Sequence, residues 1–413
     1  MERPLPTLKK KLTLRLGRNT SLFVDLETGV TGLRGAARGF GSRLGKIAAL
    51  TKALARLRKG AARVRLARPQ AGKPARRERD RARRKPVLTM GSNTPVFFVT
   101  GLGKSGTSWL MRMLDAHPEI LCKGEGRFFA ADWRRANFDP ENTQAMASSL
   151  YYALLDSEYL RLWVERSVWA REGDAARHLD NLTRLAIEHF LMRKLRETDK
   201  KLVGDKSPLL GADFIEEVAR IYPEAKVIHI IRDGRDQAVS MLHHVWNRST
   251  DQGGVQTLKP GEFERREAYR KDPQELLQTG EGMFTEERLR GAARSWNSRV
   301  GKTAEDGPAL LGPNYTEVRY EDLLERPNEE IERLAGFLGA DTREKAVQQA
   351  VGSASFEKLS KGRQRGQEDT SSFYRKGVAG DWRNYFTERD KEIYKEEAGE
   401  LLIRLGYERD LNW

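Results

Sequence analysis

The sequence predicts an α/β fold in which a central parallel β-sheet is flanked by helices, and three observations predict it. Short apolar and β-branched runs recur at Val96-Phe97-Phe98-Val99, Leu202-Val203 and Val227-Ile228-His229-Ile230-Ile231. Each leads into a polar turn, and a stretch with helical periodicity follows. Strand, turn and helix repeated in that order imply parallel strands joined by right-handed crossovers.

The first unit is the most informative. Its strand continues without a break into Thr100-Gly101-Leu102-Gly103-Lys104-Ser105-Gly106-Thr107-Ser108-Trp109-Leu110. Three glycines within six residues permit a tight turn and a close approach of backbone N–H groups to a ligand. Thr107 and Ser108 stand where the helix begins, so their hydroxyls and the free N–H groups of its first turn can converge on one anion, helped by the helix dipole. Lys104 adds a movable charge. The nucleotide-hydrolase loop, Gly, four residues, then Gly-Lys-Ser/Thr, does not fit. With Gly101 and Gly106 as its glycines, Thr107 occupies the lysine position, and with Gly103-Lys104-Ser105 as its end, Phe98 would have to be glycine.

Composition divides the chain. Over 413 residues the net charge is +15, yet residues 1–90 hold 25 Lys and Arg against 5 Asp and Glu, leaving 49 against 54 for the remainder. The reading is a basic, partly helical or disordered extension over 1–90 and a single catalytic domain over 91–413. Residues 71–86, rich in Ala, Arg and Pro, read as a flexible linker. Upstream, Phe40, Leu44, Ile47, Leu50, Leu54 and Leu57 recur at helical spacing among basic residues. Residues 40–66 therefore suit contact with an anionic membrane surface; a solvated tail or a helix docked on a partner chain fits the same pattern. Nucleic acid fits less well, because no aromatic residues interleave with the charges.

A single cysteine, Cys122, excludes an intramolecular disulfide and a multi-cysteine metal site, and it suits core packing in a reducing cytoplasm. No run approaches the roughly 20 apolar residues that span a bilayer, and the N-terminus lacks the apolar core of a cleavable signal. The expectation is a cytoplasmic protein, with a peripheral membrane contact if the basic arm binds lipid.

After the first helix, His117-Pro118 forms a turn and Ile120-Leu121-Cys122 a second strand. Glu125, Phe128 and Phe129 lie just beyond its C-terminal end, where open α/β sheets place their ligands, which makes Glu125 a candidate base. From 148 to 198 the periodicity is helical, and Tyr151, Tyr152, Tyr159, Trp163 and Trp169 read as core. Residues 201–204 form a strand leading into Asp205-Lys206-Ser207-Pro208, and a helix spans roughly 211–221. The strand 226–231 ends in Arg232, and Ser240 lies two turns into the next helix, so an Arg fork and a neutral hydroxyl can clamp a second phosphate. Residues 248–284 are polar and read as an insertion or loop. Arg294, Trp296 and Arg299 fall on a helix, 316–320 is the last strand, and 321–339 is helical. Phe373-Tyr374-Arg375-Lys376-Gly377-Val378-Ala379-Gly380-Asp381-Trp382 is a basic glycine loop suited to clasping an anion, ahead of a C-terminal helix.

Taken together these segments resemble the sulfotransferases that use 3'-phosphoadenosine-5'-phosphosulfate (PAPS). Gly103 to Trp109 is similar to the family's 5'-phosphosulfate loop, Arg232 to Ser240 to its 3'-phosphate element, and Arg375-Lys376-Gly377 with Gly380-Asp381-Trp382 to its C-terminal clasp. The resemblance runs from about Val96 to the C-terminus. It implies a P-loop-like fold without nucleotide hydrolysis and PAPS as sulfuryl donor. It further implies Lys104 at the bridging oxygen with Lys206 at the transferring group, and Trp109 against the adenine. Ser105, Arg232, Ser240, Arg375 and Lys376 fall near the 3'-phosphate, while Gly106, Thr107, Ser108 and Gly377 complete the cofactor contacts.

Cytosolic small-molecule members carry a histidine base in a Lys, Ser/Thr, His segment, whereas this chain reads Lys206-Ser207-Pro208. Glu125-Gly126-Arg127-Phe128-Phe129 matches instead the Glu-x-x-Phe-Phe context of a branch acting mainly on carbohydrates. Glu125 is therefore preferred as general base over His243 or His244. No metal is required, because lysines and arginines take the place of the magnesium that phosphoryl transfer recruits. The expected activity is sulfuryl transfer to a hydroxyl or amine of a carbohydrate, lipid or small-molecule acceptor. The rivals are a kinase-like phosphoryl transferase and a catalytically silent, membrane-associated binding protein on the same fold.

Overall fold

The computed structural model describes residues 95–413 apart from 130–148, 156, 171–173, 210–211, 249–257, 259–260 and 279, together with the backbone of 11–17, 20–25 and 31–34. The chain forms two units, Met1–Arg84 and Lys85–Trp413. In the first, β1 (Lys11–Gly17), β2 (Thr20–Asp25) and β3 (Thr31–Arg34) make an antiparallel sheet in that order. The amphipathic segment 40–66 and the linker 71–86 lie outside the described residues.

The second unit is built on five parallel strands: β4 (Val96–Gly101), β5 (Ile120–Gly124), β6 (Leu202–Pro208), β7 (Lys226–Ile231) and β8 (Tyr315–Arg319). Their order is β5-β6-β4-β7-β8. All four pairings are parallel. The sheet grows outward in both directions from β4, so the crevice at the C-terminal end of β4 is the topological switch point, where such sheets bind ligands. Register brings the relevant chain ends to that edge: Val99 lies opposite Lys206 on one side and Ile228 on the other, and Gly124 lies opposite Lys206.

Successive side chains alternate between two cores, as the period of a strand requires. Phe97 and Val99 pack with Leu202, Ile228 and Ile230 on one face, against α1 (Thr107–Ala116), α11 (Pro327–Leu338) and α12 (Glu344–Ser353). Phe98, Val203 and Val227 pack on the other, with α2 (Leu150–Leu155), α4 (Ala175–Leu195) and α5 (Phe214–Ile221). A third core joins α6 (Gly234–Arg248), α9 (Glu286–Leu311) and α14 (Glu388–Arg404), with Trp296 fully buried at its centre. Between α11 and α14 only α12 and the short α13 (Phe356–Leu359) are α-helical, and α10 (Tyr320–Glu325) follows β8 directly.

The structure adds detail to one expectation and corrects another. Residues 248–284, read as a polar insertion or loop, contain α7 (Glu262–Lys271) and α8 (Pro273–Gln278). Tyr269, Leu276, Met283 and Phe284 are buried in the third core, while Phe263 stays 46% exposed. Charge density there masks a segment held by sparse anchors. Of the aromatics read as core between 148 and 198, Tyr151 is buried, but Tyr159, Trp163 and Trp169 are 88%, 57% and 90% exposed. The last three lie on or just after α3 (Glu158–Arg166), which buries only Val164. No helix among the described residues is long and apolar enough to cross a membrane.

Candidate functional site

The loop after β4 turns through two left-handed residues, Lys104 (φ 71°) and Gly106 (φ 94°). Glycine is needed at 106 on two counts, since a Cβ there would also come 2.7 Å from the Tyr320 ring. Gly106 is the N-cap of α1 and no side chain caps the helix, which leaves its first turn facing the cavity for an anion. The loop is tied down from α6 and the strand before it: Gln237 Nε2 donates to Gly103 O at 2.7 Å, and Arg232 Nη1 to Lys104 O at 3.1 Å. Lys104 reaches across the mouth, its Nζ 3.9 Å above the Phe373 ring centroid and donating to Phe373 O at 3.4 Å. Burial, together with the charges of Arg232 and Arg375, lowers its pKa to about 8.

Glu125 follows β5 with its backbone in the left-handed region (φ 62°), as does Arg127 (φ 52°). Non-glycine residues seldom adopt this conformation, and such strain concentrates at sites where side-chain direction matters. The turn is held by Glu125 N donating to Lys206 O at 2.8 Å and Gly126 N donating to Asp205 Oδ1 at 2.9 Å. Asp205 is itself fixed by the Ser207 hydroxyl at 2.6 Å. The outcome is an ion pair of unequal exposure: Lys206 Nζ donates to Glu125 Oε1 at 2.8 Å, with Lys206 3% and Glu125 61% exposed. The hydrogen bond from Lys206, then its charge, hold the Glu125 carboxyl below its ordinary value. Lys123 takes no part, because its Nζ pairs with Asp115 at 2.6 Å.

Arg232 leaves the end of β7 and lies 4.4 Å from the Tyr320 ring centroid. Its Nη2 donates to Val378 O at 3.3 Å and stands 3.7 Å from Asp236. Arg375 donates to Asp381 at 2.6 Å and to the Tyr385 hydroxyl at 2.9 Å, and it also pairs with Glu368. Lys376 Nζ donates to the second oxygen of Asp381 at 2.7 Å. The two clasp cations thus share one buried carboxylate.

These groups enclose a cavity of about 280 Å³. Gly103, Lys104, Gly106, Thr107, Ser108, Trp109, Glu125, Lys206, Arg232, Ser240, Arg375, Lys376 and Gly377 all line it. Ser105 does not; it is buried, and its hydroxyl has no hydrogen-bond partner. Among the described residues the lining holds six cations, counting Arg248, and one carboxylate, Glu125. Arg232 Nε is likewise buried without a partner. A surplus of convergent donors and positive charge suits a ligand with several anionic groups. Trp109, Tyr320, Leu324, Phe356 and Leu359 give the lining an apolar part, and Trp109 Nε1 is committed to Ala354 O at 2.8 Å, which restrains the indole.

The two histidines weighed against Glu125 sit differently. His243 does not line the cavity; it is buried among Trp246, Tyr269 and Tyr385, and burial lowers its pKa to about 3. His244 lines the cavity, but burial and the charges of Lys104 and Arg248 hold it at about 4. His117 is a turn residue: its Nδ1 accepts from Glu119 N, so its Nε2–H donates to Asp341 O at 2.8 Å. The sequence reading missed Tyr320, Phe356 and Arg248 in the lining. Each stands in a segment with no glycine or charge pattern of its own, so no sequence signal marks it.

The sequence profile of the family described as "Sulfotransferase domain" matches residues 94–406. Sulfotransferase 1B1 of Canis lupus familiaris is 28% identical over 199 residues, 44% of this chain and 58% of that protein. Protein-tyrosine sulfotransferase 1 of Rattus norvegicus is 26% identical over 162 residues, 38% of this chain and 36% of that protein. The chain thus spans less than two thirds of the length of these relatives. Among solved structures, mouse sulfotransferase SULT7A1 complexed with PAP is 18% identical with a TM-score of 0.40, covering 74% of this chain and 85% of that one.

Proposed function

Because the chain belongs to the sulfotransferase family, we propose that it transfers the sulfuryl group of PAPS to a hydroxyl or amine of a carbohydrate, lipid or small-molecule acceptor. The observation that carries this reading is the pairing of Glu125, the single carboxylate of the cavity lining among the described residues, with buried Lys206, where the other charged lining residues described are cationic. Sulfuryl transfer needs that asymmetry. One end must take a proton from the attacking group, and the other must neutralise charge on the departing phosphate.

The donor supplies an activated sulfuryl group on a phosphate leaving group. The residues present suit it: unpartnered buried donors, a helix N-terminus without a cap and an apolar part of the lining. Glu125 accepts the acceptor's proton. Its carboxyl, held low by Lys206, is ionised at neutral pH, and its exposure lets an acceptor reach it. Lys206 shares its ammonium between Glu125 and the transferring oxygens, which keeps the base oriented. Lys104, freed from the Phe373 ring, neutralises the leaving oxygen. Arg232, Ser240, Arg375, Lys376 and Gly377 hold the 3'-phosphate, and Trp109 with Phe356 flanks the adenine. A carboxylate base in place of histidine leaves the choice of acceptor broad, and the tyrosine-sulfating relative adds a peptide phenol to the classes to be assayed.

Calorimetry with adenosine 3',5'-bisphosphate in excess chelator tests the donor. Micromolar or tighter binding without magnesium is expected. Binding of ATP that requires magnesium, with none of the bisphosphate, would instead identify a phosphoryl transferase.

A further inference from the structure

We infer that Asp236 is a positioning residue that fastens the C-terminal clasp to the 3'-phosphate element, and that it thereby sets the preference for a nucleotide with a 3'-phosphate. The inference rests on the proposed donor. Asp236 lies in the first turn of α6, is 1% exposed and does not line the cavity, so it touches no ligand. Its two oxygens are spent on the clasp: Oδ2 accepts from Gly380 N and Oδ1 from Trp382 N, both at 2.8 Å. Those donors bracket Asp381, whose carboxylate holds Arg375 and Lys376 at 2.6 and 2.7 Å. On its other side Asp236 stands 3.7 Å from Arg232, which itself donates to Val378 O in the clasp. One buried carboxylate therefore indexes three cations of the 3'-phosphate set against α6.

The clasp needs such a tie. Residues 373–380 form neither helix nor strand, and their other supports come from residues that are themselves outside helices and strands: Lys104 donates to Phe373 O at 3.4 Å, Arg363 to Arg375 O at 2.8 Å, Gly366 N to Lys376 O at 2.9 Å and Arg232 to Val378 O at 3.3 Å. Loops of this kind open locally at little cost unless a rigid element anchors them. The bonds to Asp236 tie the clasp to the first turn of α6, the helix that also carries Ser240.

Charge and positioning predict opposite signs. By Coulomb's law alone, removing a negative charge beside a phosphate site tightens anion binding. If Asp236 positions the clasp, Asp236→Asn weakens it, because the amide presents a donor to one of two backbone N–H groups and its neighbours lose register.

The experiment is calorimetric titration of the full chain, wild type and Asp236→Asn, with adenosine 3',5'-bisphosphate and with adenosine 5'-phosphate, beside thermal melts. Wild type is expected to prefer the bisphosphate at least tenfold. The variant should lose about tenfold or more for the bisphosphate and less than about twofold for the monophosphate. Unchanged or tighter bisphosphate binding overturns the inference, as does an equal loss for both nucleotides with a lowered melting temperature, which marks a role in folding alone. Wild type that fails to distinguish the nucleotides overturns the donor reading, and the inference with it. Asp381→Asn, which breaks the next link, must show the same selective loss; if Asp236→Asn does not fold, that variant alone decides between the two signs.

Discussion

Lys104 makes the affinity for nucleotide depend on pH in a direction the structure sets. In the free protein, burial and the charges of Arg232 and Arg375 lower its pKa from 10.5 to about 8. A bound phosphate offsets those charges and returns the ammonium toward its ordinary value. The bound state then holds the proton more tightly than the free state, so binding takes up a proton and weakens as pH rises. With about 8 free and about 10.5 bound, affinity is flat below about pH 7 and is roughly tenfold weaker at pH 9. The nucleotide phosphates contribute nothing to this change, since their second ionisation is complete above about pH 7. Calorimetry of adenosine 3',5'-bisphosphate from pH 7 to 9, in two buffers of different ionisation enthalpy, reads both the affinity and the proton uptake. Lys104→Met should be weaker throughout and independent of pH. A flat wild-type profile, or an equal slope in Lys104→Met, would refute the assignment.

Three substitutions probe the other parts of the site. Glu125→Gln keeps the shape and the contact with Lys206 but removes the base; transfer should fall about 10²–10⁴-fold with nucleotide affinity nearly unchanged, and retained turnover would move the base elsewhere. Arg232→Ala removes a charge-assisted contact and two ties to neighbouring loops, so bisphosphate affinity measured by calorimetry should fall about 10–100-fold. Gly377→Ala places a Cβ 2.5 Å from the Phe356 ring at φ 68°; a loss of about 1–2 kcal/mol in urea unfolding is expected from the backbone alone, and wild-type stability with wild-type binding would show that the clasp tolerates rearrangement there.

The sheet was legible because its strands are buried on both faces. Val96-Phe97-Phe98-Val99 is apolar throughout, and Val227 to Ile231 is interrupted by His229 alone. The loop at Gly103 to Ser108 was legible because glycine and lysine at fixed spacing have few structural uses. Residues such as Tyr320 and Phe356 were not, since an aromatic on a short helix looks the same whether it packs a core or faces a ligand. Exposure misled in the opposite sense at Tyr159, Trp163 and Trp169, where helical spacing suggested a core and α3 supplies almost none. Asp236 carries no signal in the sequence: its oxygens bond to backbone groups about 145 positions away, and nothing in a linear pattern points to them. The position of Glu125 beyond a strand end could be read directly, but its ion pair with Lys206 depends on the register of β5 against β6.

The most direct test of the account is transfer of labelled sulfuryl from PAPS, without added metal, to a panel of carbohydrate, lipid, phenol and amine acceptors. Wild type should form a labelled product with at least one of them, and Lys104→Met should lower that rate about 10²–10³-fold, more than it lowers nucleotide affinity. Tight binding of adenosine 3',5'-bisphosphate with no labelled product from any acceptor class would contradict it, and would mark the protein as a nucleotide-binding relative that has lost the chemistry.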